Sequence, residues 1–231
     1  MPATPTVPAK PLPAPAAPTG HHALETAAGR GRLPGFVAVA LAVPVGLTAG
    51  VLTSFGQTVL PGPLGGLANA VTPWLVVPFV LGALTRRWGW ALVAGVLACL
   101  GEVAGYYLTS HLRGFGTSSS WVLFWLVCAL PGGGVGAVAG WSWRRDGHDD
   151  GPSTRRGRGL GGAVLVAAWW AEAVVVYLAL LGYVGHAVVF VSAGVLTFVV
   201  LGRYGRQHGG IARWLVPALV LAGAGFAVVY P

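Results

Sequence analysis

Seven apolar runs, each about as long as a bilayer is thick, constrain this chain more than any other feature. They fall at about 33–53, 67–85, 88–107, 121–143, 160–181, 186–202 and 214–230. At the helical rise of about 1.5 Å per residue, roughly 20 apolar residues cross a hydrocarbon core some 30 Å thick. Lipid offers no partner to a backbone N–H or C=O, so such a run crosses as a helix, which satisfies its own backbone. The charge content agrees: 9% of residues are charged and 55% hydrophobic, against about 25% charged in a soluble domain that must wet its surface. The fold class expected is therefore all-α, a polytopic transmembrane helical bundle of seven spans occupying residues 36–231.

The second run is the weakest, because Pro73 and Pro78 interrupt it. Charge placement decides for it. Fourteen Lys and Arg residues lie between the runs. Lys10, Arg30 and Arg32 precede the first run; Arg86 and Arg87 follow the second; Arg144, Arg145, Arg155, Arg156 and Arg158 follow the fourth; Arg203, Arg206 and Arg213 follow the sixth. Only Arg113 falls in an intervening segment, so alternate segments hold thirteen against one. Short cytoplasmic loops collect Arg and Lys, which places the N-terminus inside and the C-terminus outside. If the second run did not cross, every later loop would invert and the partition would collapse.

Residues 1–35 contain seven prolines within the first twenty positions and show no apolar period. Such a segment buries too little apolar surface to offset its ordering entropy, and a disordered cytoplasmic tail is expected. A secretory signal is disfavoured, because the charged region is long and the following apolar run is of spanning length. The net charge of +8 does not imply nucleic acid, since no soluble part is large enough to present a basic face; these arginines set orientation and meet lipid headgroups. Cys99 and Cys128 lie within apolar runs, which argues for buried thiols and against a disulfide framework. Thirteen of the fourteen basic residues are Arg, which with abundant Ala, Gly and Val suggests a high-GC bacterial genome and hence a bacterial plasma membrane.

Small residues recur every four positions. Ala38, Ala42, Gly46 and Gly50 form one stripe, Gly101 and Gly105 a second, and Gly132, Gly136 and Gly140 a third. At this spacing helix backbones approach closely in lipid, so these positions are the expected packing faces. Trp88, Trp90, Trp121, Trp141, Trp143 and Trp214 gather near span ends, as interfacial aromatics do.

Two of the six acidic residues, Glu102 and Glu172, lie inside spans, where an acid costs about 2.5–3.5 kcal/mol on insertion scales. Both spans run in the same direction, and each Glu lies about 18–21 Å from its inner start at helical rise. The two carboxyls then share a depth in the outer half, where they could share a proton, a cation or a cationic ligand. The alternative is that each bonds a neighbouring helix and serves packing alone. Gln57 and Asn69 flank a first loop rich in Pro and Gly, and Tyr106 lies one turn beyond Glu102. Glu102, Glu172, Tyr106, Gln57 and Asn69 are accordingly the candidate ligand-binding residues. Pro131-Gly132-Gly133-Gly134 is expected to break the fourth span, and broken helices at membrane depth often line binding sites. No pattern points to a metal, a cofactor or a catalytic residue. The intramembrane histidines lack a partner at i, i+4, His21-His22 lies in the tail, and no membrane-depth histidine accompanies a nucleophile.

The chain resembles a family of uncharacterised multi-pass membrane proteins of high-GC Gram-positive bacteria. The resemblance runs from Leu52-Thr53-Ser54-Phe55-Gly56-Gln57 through Leu60-Pro61, Asn69 and Trp74. It continues in Gly105-Tyr106-Tyr107, Trp125, Ala129-Leu130, Gly133 to Gly136 and Ala171-Glu172. It covers about residues 36–202 and implies a membrane architecture with no assigned activity. The residues themselves point to a small-solute transporter, or the substrate-binding membrane subunit of one, with an outward-leaning polar site. The second reading is a non-catalytic scaffold that meets a membrane-protein partner through its small-residue faces. An enzyme is not expected, because the short outer loops display no catalytic set. The expected partners are the lipid bilayer and a small solute or membrane protein, with no nucleic acid; the sequence leaves the oligomeric state open.

Overall fold

A computed structural model describes residues 32–147 and 157–230. The expected tail lies outside them except for residues 32–35, as do Asp149, Asp150, Arg155 and Arg156. The described residues are helical, with a single isolated β-bridge between Leu33 and Thr85 and no strand. The helices are α1 (Gly35–Val59), α2 (Val71–Leu84), α3 (Trp88–Leu112), α4 (Ser119–Asp146), α5 (Leu160–Glu172), α6 (Val184–Arg203) and α7 (His208–Val229). Residues Ala173–Leu180 continue α5 as a π-helix, and a 3-10 helix over Gly62–Ala68 precedes α2. Six helices, counting α5 with its π continuation, are long and apolar enough to cross a membrane. The 3-10 helix and α2, bent by 52° at the break between them, pass the same test as a pair, which makes six or seven candidate spans among the described residues. The chain is a multi-pass membrane protein.

The break in the second span has local causes. Leu60, extended at φ −74° and ψ 124°, ends α1 before Pro61, as the ring of a following proline disfavours helical geometry. Gly62 then takes φ +51°, a left-handed conformation that glycine adopts without penalty. After the 3-10 helix the chain takes up α-helical geometry only beyond Ala70, which is extended at φ −110° and ψ 154°.

The fourth span corrects an expectation. Pro131 and the glycine run do not break it, since α4 is continuous over 28 residues. Proline removes one N–H, whereas unwinding in lipid would expose several groups. The glycines serve contact instead. A Cβ on Gly133 would fall 2.4 Å from the Gly95 oxygen of α3, and one on Gly140 would fall 1.9 Å from the Phe79 oxygen of α2.

Small residues bring the other helices equally close. Ala38 and Ala42 of α1 are fully buried in a cluster with Ala94 and Ala98 of α3. A Cβ on Gly46 would lie 2.1 Å from the Ala98 oxygen, and one on Gly50 the same distance from the Glu102 oxygen. In return, Gly101 faces Val43 and Gly105 faces Leu47. No side chain fits between these backbones. The second assembly, α5 with α6 and α7, packs around Val166, Trp169, Phe190 and Ile211.

The described arginines other than Arg113 gather at one end of the bundle. Arg86 donates to the Arg32 carbonyl at 3.3 Å, Trp141 donates to the Arg86 carbonyl at 3.3 Å, and Arg158 donates to the Gly205 carbonyl. Arg113, at the opposite end, is engaged by the last turns of α1. It donates to the Ser54 carbonyl and to Thr58 Oγ1 (2.7 Å), with its guanidinium 4.4 Å over the Phe55 ring. A cation against the carbonyl end of a helix is favoured by the helix dipole.

Candidate functional site

The break in the second span leaves the first turn of α2 short of partners, because the opening N–H groups of a helix have none within it. Glu172 supplies them. The Val71 N–H donates to Glu172 Oε1 and the Thr72 N–H to Oε2, both at 2.8 Å. The third helical position is Pro73, which has no N–H to satisfy. One carboxylate and one proline thus account for the first three positions of α2. Glu172 is fully buried there, and a carboxylate at a helix N-terminus also meets the positive end of the dipole.

The π-helix that follows Glu172 has a role in the same joint. Tyr177, five residues on, donates its hydroxyl to the Gly66 carbonyl at 3.2 Å. Five residues of α-helix would turn the two side chains about 140° apart. A π turn, closed by i→i+5 bonds, brings them to one side, where both meet the entry to α2. His186 of α6 stacks on Tyr177 with ring centroids 5.3 Å apart and planes 10° from parallel. A Cβ on Gly66 would fall 2.6 Å from that imidazole.

On the other side of the entry, Gln57 of α1 donates its amide both to Asn69 Oδ1 and to the Tyr106 hydroxyl of α3. Three of the five candidate residues are therefore joined: Gln57, Asn69 and Tyr106. Glu172 holds the start of α2, as above. Glu102 occupies a third setting. It is 2% exposed, its Oε2 has no hydrogen-bond partner among the described residues, and the Cys99 thiol adjoins its carboxyl group. The two acids, read in the sequence as a pair, have separate neighbours.

Beside Asn69 and Tyr106 lies a cavity of about 140 Å³, and Gln57, Glu102 and Glu172 are not among its lining residues. Its walls are the end of the broken segment (Ala68, Asn69, Ala70), α2 (Val71, Trp74, Leu75), α3 (Cys99, Val103, Tyr106, Tyr107) and α4 (Trp125, Cys128, Ala129, Gly132). Gly132, read as a packing residue, faces this space, and the nearest atom to a Cβ there would be a Leu75 methyl at 3.5 Å. The Trp74 indole N–H is buried without a partner among the described residues. Trp74, Tyr107, Trp125 and both cysteines escaped the candidate set; their spacing on three helices converges only once α2, α3 and α4 pack together. Among the described residues no group of three or more His, Cys, Asp or Glu side chains is placed to hold a metal ion.

A profile for a family of unknown function, DUF6518, matches residues 30–231. The chain belongs to that family. The match reaches beyond the resemblance over 36–202 and takes in α7, so the family includes the whole described bundle. No curated protein and no solved structure matches the chain.

Proposed function

We propose that the chain binds a small solute within the membrane, as a small transporter or as the substrate-binding membrane subunit of one. The observation that carries this reading is the cavity between α2, α3 and α4, bounded by the bent entry to α2 and lined by the polar side chains of Asn69, Tyr106 and Tyr107. Discontinuous helices at membrane depth are a recurring device for solute sites. The cavity lies at the start of α2, along α3 from its middle at Cys99 to Tyr107, and in the first half of α4, toward one end of the bundle. With the N-terminus in the cytoplasm, that end faces outward.

The scaffold reading drew on the small-residue stripes. Those stripes are occupied within the chain: Gly46, Gly50, Gly101, Gly105, Gly136 and Gly140 each abut another helix of this protein. This favours the solute reading. Its test is Gly132→Leu, which fills the cavity from α4, in cells where deletion of the gene alters uptake of a solute. Uptake should be lost with the protein still present in the membrane. Full uptake by the filled variant would refute the reading.

A further inference from the structure

We propose that a groove at the arginine end of the bundle binds one anionic glycerophospholipid, its phosphate against Arg87 and an acyl chain down the start of α3. The groove shares no lining residue with the cavity described above, and this inference stands without the solute reading.

Arg86 and Arg87 of the loop before α3, Trp88, Trp90 and Val93 of α3, and Trp141 of α4 line a groove of about 600 Å³. Its polarity changes along the bundle. The two arginines precede the first turn of α3, whereas Val93 lies five residues past Trp88, about 7.5 Å deeper at helical rise. Between them the indoles of Trp88 and Trp90 are 59% and 43% exposed, and indoles settle at headgroup depth. Guanidinium at the mouth, indole at the boundary and an apolar floor below follow the order of phosphate, glycerol and acyl chain in a phospholipid.

The charge around the mouth has one sign. Arg87 is exposed there, and on the α4 wall the Arg145 guanidinium lies 4.6 Å over the Trp141 ring. Arg86 donates to the Arg32 carbonyl at 3.3 Å, which ties that segment to the groove. Burial, and then the charges of Arg144 and Arg145 nearby, hold the Arg32 guanidinium below the usual arginine value. Asp146, the one acid at this end among the described residues, is fully buried and meets Arg145 at 3.5 Å. The first turn of α3 brings no acid and its N-terminus no side-chain cap, so the helix dipole adds to the same sign. An anion at the mouth relieves this like-charge crowding. A soluble anion or an acidic peptide would use the arginines and leave Trp90 and Val93 uncovered. A zwitterionic lipid would bring its own ammonium towards the guanidiniums. An anionic lipid matches both ends of the groove.

The test is native mass spectrometry of the purified full-length protein in detergent, titrated with phosphatidylglycerol or with phosphatidylcholine of the same acyl chains. The first phosphatidylglycerol should bind roughly tenfold more tightly than the first phosphatidylcholine. R87Q should weaken phosphatidylglycerol binding roughly fivefold, one arginine's share at a membrane surface, and R87K, which keeps the charge, should not. R203A removes an exposed arginine at the end of α6 that is not among the lining residues, and it should bind both lipids as the parent does.

Equal affinity for the two lipids would overturn the proposal. So would equal losses in R87Q and R203A, which would spread the attraction over the whole arginine end. Displacement of phosphatidylglycerol by inorganic phosphate at equal concentration would give the mouth to a soluble anion. A dimer in the same spectra that Trp88→Ala disperses would give the groove to a second copy of the chain. Either result overturns the lipid assignment.

Discussion

Glu172 and Glu102 are the same residue type, both buried in parallel helices near one end of the bundle, yet their surroundings differ completely. Glu172 has two backbone N–H donors at 2.8 Å and closes the broken start of α2. Glu102 is 2% exposed and has one oxygen without a partner. An ionisable group within a membrane is costly and calls for an explanation. For Glu172 the explanation is inside the fold, since its oxygens replace the partners that the broken helix lacks. For Glu102 the fold supplies the Cys99 thiol as a neighbour and leaves Oε2 without a hydrogen-bond partner among the described residues. The difference separates a structural acid from a candidate functional one without appeal to sequence position, which is alike for both.

Substitutions break or sharpen this contrast. The largest effect should come from Glu172→Ala, which leaves the buried Thr72 N–H and the part-buried Val71 N–H without acceptors, at about 1–3 kcal/mol each. Unfolding of the purified protein in detergent should show a loss of about 2–6 kcal/mol, and Glu172→Gln, which keeps one acceptor oxygen, about half of it. A change under about 0.5 kcal/mol for the alanine variant would remove the capping role. A smaller loss, about 1 kcal/mol, is expected for Pro73→Ala, because it adds a third N–H to an end that already uses both carboxylate oxygens. Unchanged stability there would mean that the proline is incidental to the cap. Glu102→Gln should have the least effect, within about 0.5 kcal/mol of the parent or slightly stabilising, as it breaks no bond of the fold and removes a poorly solvated acid. The double variant E102Q/E172Q should equal the sum of its parts. A coupling beyond about 0.5 kcal/mol would restore the shared proton or cation that equal depth first suggested.

The architecture was legible because it depends on one-dimensional quantities. Run lengths are enough to lay out the candidate spans, but α2 runs unbroken through Pro73 and Pro78, and the interruption expected at those prolines falls before it, at Asn69 and Ala70. The four-residue stripes anticipated where α1 meets α3, since helix–helix approach depends on side-chain size at fixed spacing. Local conformation was harder to read. Pro131 with three glycines looked like a break, and is not one, because neighbouring backbones at Gly95 and Phe79 hold α4 straight. The actual interruptions, at Gly62–Asn69 and in the π turns after Glu172, answer to each other across the fold. Pro61 and Gly62 start the first of them locally, but what satisfies it is a contact between residues 101 apart in sequence, which no local pattern encodes. The same holds for the cavity: Asn69 and Tyr106 were singled out as polar residues, whereas Trp74 and Trp125 entered only through the family resemblance, and their convergence requires three helices to pack together.

The carboxylate that completes α2 also sets an order of events in biosynthesis. Val71 leaves the ribosome 101 residues before Glu172, a delay of about 5–20 s at ordinary translation rates. Throughout that interval the second span has no carboxylate for its first two amides, and lipid has none to lend. The early half of the protein must therefore wait, at the translocon or at the water interface, until the fifth span arrives. A ribosome stalled before residue 172 should expose Val71 and Thr72 to water, and release should bury them.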